Sequence, residues 1–232
     1  MNIQILSQPD DETCGPTSLH AVYKYFGLEL KLPDLIDAVP FLPEGGTLAV
    51  LLGIDALKRG FDAQIFSYNL SVFDPSWKSL SREDLIQKLL AQKKIKSGKK
   101  FQQASDAYID FLSAGGHIQF DLLNPKLLKR FLSQKIPVLA GLSATYLYGS
   151  KREIEGANGK AIYDDVAGKP TGHFVVLYKD NDDKTVSVAD PYEANPVNGT
   201  NYYNVSFNRL INSILLGILT YDANLLVITP KN

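Results

Sequence analysis

Gln8-Pro9-Asp10-Asp11-Glu12-Thr13-Cys14-Gly15-Pro16-Thr17-Ser18-Leu19 carries the only cysteine of the chain and leads straight into a helical pattern. Leu19, Val22, Tyr23 and Phe26 recur at helical spacing, Pro16 suits a first turn and Gly27 is a stop signal, so a helix is predicted from about Gly15 to Phe26. Cys14 then stands at or just before the helix N-terminus. There the positive end of the macrodipole favours thiolate, the nucleophilic form of the side chain. A lone cysteine is more often a small buried apolar residue. The small residues around this one leave room for a substrate carbonyl.

Working outward, a short helix is predicted near Pro33 to Ala38. Another follows Gly45-Gly46-Thr47, with Leu48, Leu51, Leu52, Ile54 and Leu57 as its apolar face and Gly60 as its end. Phe61 to Tyr68 reads as a strand. Residues 67–123 are helical and polar, and Ser81 caps a helix carrying Leu85, Ile86, Leu89 and Leu90. The lysines at 88, 93, 94, 96, 99 and 100 read as a solvated helix end. Pro125 to Gln134 forms an amphipathic helix, and Ile136 to Leu142 is a continuous apolar strand. His173 to Tyr178 and Thr185 to Ala189 read as strands joined by turn chemistry at Asp180-Asn181-Asp182-Asp183. Ser206 to Leu215 reads as a helix and Asn224 to Thr229 as a last strand. Helices first and strands second make an α+β pattern. The organisation expected is one domain over 1–232, with a helical nucleophile part (1–66), a helical insertion (67–123) and a sheet part (124–232).

Composition narrows the function. The 232 residues hold 24 Lys+Arg against 25 Asp+Glu, which disfavours nucleic acid as a partner. No stretch is apolar enough for a membrane span, and the N-terminus lacks the basic start of a signal peptide, so a cytoplasmic setting is expected. One cysteine allows no internal disulfide and no multi-cysteine metal site. No metal and no cofactor are expected.

A nucleophilic thiol needs a base and a group that orients the base. His20 lies too far along the helix of Cys14 to pair with it, and His117 reads as a surface residue. His173 opens an apolar strand after Thr171-Gly172, where glycine permits close approach of another backbone. If the following turn is symmetric about Asn181 and Asp182, paired positions sum to 363. His173 then faces Asp190, Val175 faces Val188, and Leu177 faces Val186. Opposed residues hold their Cβ atoms about 4.5–5.5 Å apart, close enough for imidazole to meet carboxylate. Gln8, six residues before Cys14, is a candidate oxyanion donor together with the backbone N–H of Cys14.

Together these residues resemble the papain-like cysteine peptidases, and more closely the bacteriocin-leader-processing, double-glycine peptidase family (C39-like) in standalone form. The resemblance rests on Gln8 to Leu19, Gly46 to Ala63, Leu132 to Leu142, Gly172 to Leu177 and Val188 to Tyr192, in the order Cys, His, Asp. It implies a papain-like fold with the nucleophile on a helix N-terminus, packed against a C-terminal antiparallel sheet. It also implies a Cys14–His173–Asp190 triad with Gln8 at the oxyanion, acting on a peptide or small amide. No exporter domain is expected in this chain, which shows neither a membrane segment nor a P-loop motif. The alternatives are an acyl or peptidyl transferase on the same fold, or a peptide-binding module without turnover. Ser150 to Pro170 is expected to form a mobile rim over the site, with Tyr146, Tyr148 and Gly172 as a substrate rim and the two tyrosines as apolar walls. Asp190, at a strand end, is expected to be replaceable by Ala with little loss of stability.

Overall fold

The computed structural model describes residues 1–42, 45–156 and 161–231. The helix α1 (Cys14–Tyr25) begins on the cysteine, and α2 (Leu32–Ala38) and α3 (Ala49–Lys58) follow. The strand β1 (Phe61–Ser67) comes next. Residues 67–123 supply a 3₁₀ turn at Pro75–Ser79, α4 (Arg82–Lys93), α5 (Lys99–Ser113) and the short strand β2 (His117–Gln119). Ser81 caps α4 by accepting from the Asp84 N–H. Then come α6 (Pro125–Leu132), β3 (Val138–Ser143), α7 (Ala144–Tyr148), β4 (Glu153–Glu155) and β5 (Ala161–Tyr163). The chain ends with β6 (Gly172–Asp180), β7 (Thr185–Ala189), β8 (Tyr202–Ser206), α8 (Phe207–Leu216), a 3₁₀ turn at Gly217–Thr220 and β9 (Asn224–Pro230).

Seven strands make one sheet in the order β2-β1-β9-β3-β6-β7-β8, while β4 and β5 pair separately. Every pairing in the large sheet is antiparallel except β1 with β2. The sheet thus takes in β1 and β2, which precede the helix α6, so "helices first, strands second" holds only in outline. Sequence reading also missed β4, β5 and β8.

The apolar runs of the central strands have a simple cause: both faces of the sheet are covered. Leu139, Phe174, Val176, Leu226 and Ile228 pack with Leu19, Val22 and Leu52 of α1 and α3. The alternate residues Val138, Ala140, Val175, Leu177 and Leu225 pack with Leu128 and Phe131 of α6 and Leu210 and Ile214 of α8. Strands buried on both sides have no polar face to alternate with. The first helix is itself enclosed, since Cys14 through Tyr23 are all buried. Gly15 allows this, because a Cβ there would collide with Thr47.

Candidate active site

Two elements bring Cys14 and His173 together. Cys14 is the first residue of α1 and His173 the second of β6. One turn along α1, Ser18 Oγ donates to the carbonyl of Phe174 at 3.1 Å, which fixes the helix on the strand next to His173. Both side chains line a cavity of about 310 Å³. Among the described residues no side chain caps α1. Pro16 has no N–H and the Thr17 N–H donates to the Thr13 carbonyl at 3.0 Å, so the N–H groups of Cys14 and Gly15 remain available as donors at the positive helix end.

The hairpin register differs from the symmetric one. Leu177 pairs with Val188 and Val176 with Ala189, and a bulge separates these from Lys179–Ser187 and Asp180–Val186. Val175 therefore does not face Val188, nor Leu177 Val186, and extending the register sets Asp190 opposite Val175. The shift from the expected pairing is two residues. An even shift keeps every side chain on its face, whereas an odd one would have turned Asp190 away. Asp190 becomes a diagonal neighbour of His173, and His173 Nε2–H donates to Asp190 Oδ1 at 2.8 Å. The side chains meet, though by a different geometry. With Nε2 committed to Asp190, Nδ1 is the nitrogen left for Cys14.

Asp190 is fully buried, which corrects the expectation drawn from its place at a strand end. It accepts from four donors. His173 and the Tyr192 N–H, the latter at 2.8 Å, share Oδ1. Tyr148 OH at 2.8 Å and Tyr203 OH at 2.7 Å share Oδ2. Burial alone would raise this carboxyl's pKa, but the charge and hydrogen bond of His173, then Tyr203 and Tyr192, hold it below the usual value. Burial opposes charge on His173 as well. Asp190 and then Cys14 outweigh it and push the imidazole up to about 10.

Gln8 lies beside this group, since its backbone N–H donates to the Pro191 carbonyl at 2.8 Å. Its amide Nε2 donates to the Asp10 carbonyl at 2.7 Å, leaving one hydrogen of that amide uncommitted. Gly172 lines the cavity with Cys14 and His173. What approaches Gly172 is a pair of side chains and not a backbone: a Cβ would collide with Asp222 and Thr220. Tyr148 is no apolar wall, because its hydroxyl holds Asp190. Tyr146 lines a neighbouring cavity with Ser143, Arg152 and Arg209. From the 150–170 stretch, Glu153, Lys169 and Pro170 line the Cys14 cavity. Gly159 of the same stretch lies outside the described residues.

Sequence reasoning missed Tyr203, Asp222, Thr220 and Lys100. The alternation of Tyr203 and Val205 was a usable strand signal. Nothing in the sequence joins Lys100 of α5 to Asp222.

No helix among the described residues is long and apolar enough to cross a membrane. No curated protein matches this chain. The family model described as "Peptidase_C39 like family" matches residues 1–213. Among solved structures, the peptidase domain of Streptococcus ComA, a bi-functional ABC transporter involved in a quorum sensing pathway, is 13% identical with a TM-score of 0.47. That match covers 99% of this chain and 100% of that one. A putative C39-like peptidase from Bacillus anthracis is 14% identical with a TM-score of 0.48, covering 100% of this chain and 96% of that one.

Proposed function

This chain belongs to the Peptidase_C39 like family, and we propose that it is a cysteine peptidase acting on a peptide or small amide. The observation that carries the reading is a buried thiol and an imidazole in one cavity, the imidazole's far nitrogen bonded to a buried carboxylate. In this reading Cys14 sulfur attacks the substrate carbonyl carbon and the carbonyl π electrons move onto oxygen. The uncommitted amide hydrogen of Gln8 and the N–H of Cys14 stabilise that oxyanion. Collapse breaks the C–N bond, and the departing amine takes its proton from imidazolium His173. A water molecule then gives a proton to His173 and attacks the thioester, which releases the acid and restores the thiolate. Asp190 fixes the ring and favours its charged form.

Glu153, Lys169 and Pro170 support a substrate rim built from residues 150–170. A lone cysteine suits a reducing compartment such as the cytoplasm. Cleavage of a peptide library by the wild type, compared with Cys14→Ala, tests the proposal. Cleavage is expected to vanish in the variant, and an unchanged product pattern would refute the reading.

A further inference from the structure

Asp222 has no part in the chemistry above, yet it lines the same cavity as Cys14 and His173. It is 5% exposed. Its Oδ2 accepts from Thr220 Oγ1 at 2.6 Å, and among the described residues its Oδ1 has no hydrogen-bond partner. No Lys, Arg or His among the described residues forms an ion pair with it. Lys100 of the cavity wall has other partners: its Nζ donates to the Thr220 carbonyl at 3.2 Å and lies 5.1 Å from the centre of the Tyr221 ring.

A buried carboxylate without a counter-ion is costly, and the open side from which one can come is the cavity. The cavity lining carries three further acids, Asp11, Glu12 and Glu153, against the lysines Lys100 and Lys169. Gly45, Gly46 and Gly172 are among the lining residues, and at these positions no side chain occupies the cavity.

We propose, resting on the peptidase reading, that Asp222 floors a specificity subsite that takes a basic side chain, Lys or Arg, beside the scissile bond. Burial pushes the Asp222 carboxyl up to about 7, while Thr220, Lys100 and His173 pull it back. Tyr108 of α5 also faces it, as a neutral hydroxyl whose own pKa is raised by burial. The subsite is therefore charged and ready for a cation only above neutrality. Lys100, reaching in from α5, tempers its appetite for cations.

The test uses a proteome-derived peptide library, with cleavage sites read by mass spectrometry for wild type, Cys14→Ala, Asp222→Asn and Lys100→Met. Cys14-dependent sites are expected to carry Lys or Arg at one fixed position within two residues of the cut. Asp222→Asn should slow those cleavages about 10- to 100-fold relative to peptides with Leu there, the usual loss for a hydrogen bond to a charge. Lys100→Met should speed them several-fold when assayed well above neutrality, where Asp222 is charged with or without Lys100. Cys14-dependent cleavage without a basic preference, or with one that survives in Asp222→Asn, overturns the subsite and leaves the peptidase reading standing. Absence of cleavage overturns the peptidase reading instead, and the subsite is then judged by protection of Cys14 from iodoacetamide by argininamide against leucinamide. Protection that needs Asp222 supports it, and equal or no protection overturns it. If Asp222→Asn does not fold, Lys100→Met decides, and an unchanged preference overturns the proposal.

Discussion

Two buried aspartates flank His173, and they live in opposite electrostatic conditions. Asp190, beyond the end of β7, accepts from an imidazole, a backbone N–H and two tyrosine hydroxyls, and its pKa is held low. Asp222, just before β9, accepts from one threonine hydroxyl and is pushed up to about 7. Burial is nearly the same in both places. The difference lies in the number and charge of the donors, which decides whether a desolvated carboxyl stays ionised. A caged acid can hold a neighbouring ring in place. An under-satisfied one facing a cavity is free to meet something that enters.

The largest effect should come from emptying the cage. Asp190→Ala strands two tyrosine hydroxyls, an N–H and an imidazole, and is expected to cost about 3–5 kcal/mol of stability together with most turnover. Turnover and unfolding midpoint measured on one variant check this, and unchanged turnover would remove Asp190 from its orienting role. Asp190→Asn keeps an acceptor for the ring and should lose less on both counts. Gln8→Ala leaves the cage alone and should lower turnover by on the order of 10²-fold, the usual loss of an oxyanion donor, with the midpoint nearly unchanged.

Tyr203→Phe thins the cage by one donor. It should cost about 1.5–3 kcal/mol, in line with a hydrogen bond to a charge, and turnover should fall by less than in Asp190→Asn. The Asp190 carboxyl should rise, which moves the acid limb of the pH–rate profile upward. A purely structural tyrosine would leave that limb in place.

The smallest effect is a difference in pH dependence. His173 is raised in the fold, so its contribution to stability is complete below its unfolded value of about 6.5 and is lost as pH rises through about 10. The Asp190 contribution is present above about 3.9 and is lost as pH falls through its lower folded value. Asp222 has the opposite sign: its raised pKa makes stability decline from about pH 4 to about 7. Asp222→Asn should remove that decline, whereas Asp190→Asn should remove the rise at the acid end. Denaturant midpoints across pH 3–8 separate the two, and parallel curves would erase the contrast.

The apolar periodicity of α1, the helix stop at Gly27, the Ser81 cap and the continuous strands were legible in the sequence, because they depend on neighbours a few residues apart. The order of Cys14, His173 and Asp190 was legible for the same reason, since each sits in a short stretch with its own local chemistry. The hairpin register was not, because the bulge between Leu177 and Lys179 has no composition that announces it. The pairing of His173 with Asp190 survived that error only because the shift was even. The sequence by itself therefore determined the elements and the chemical types at their ends. Tertiary structure alone decided that Tyr148 and Tyr203 would cage one aspartate while Lys100 of α5 stood beside another. Those partners are separated by many residues, and only the stacking of sheet and helices sets the distances and the desolvation that fix their charge.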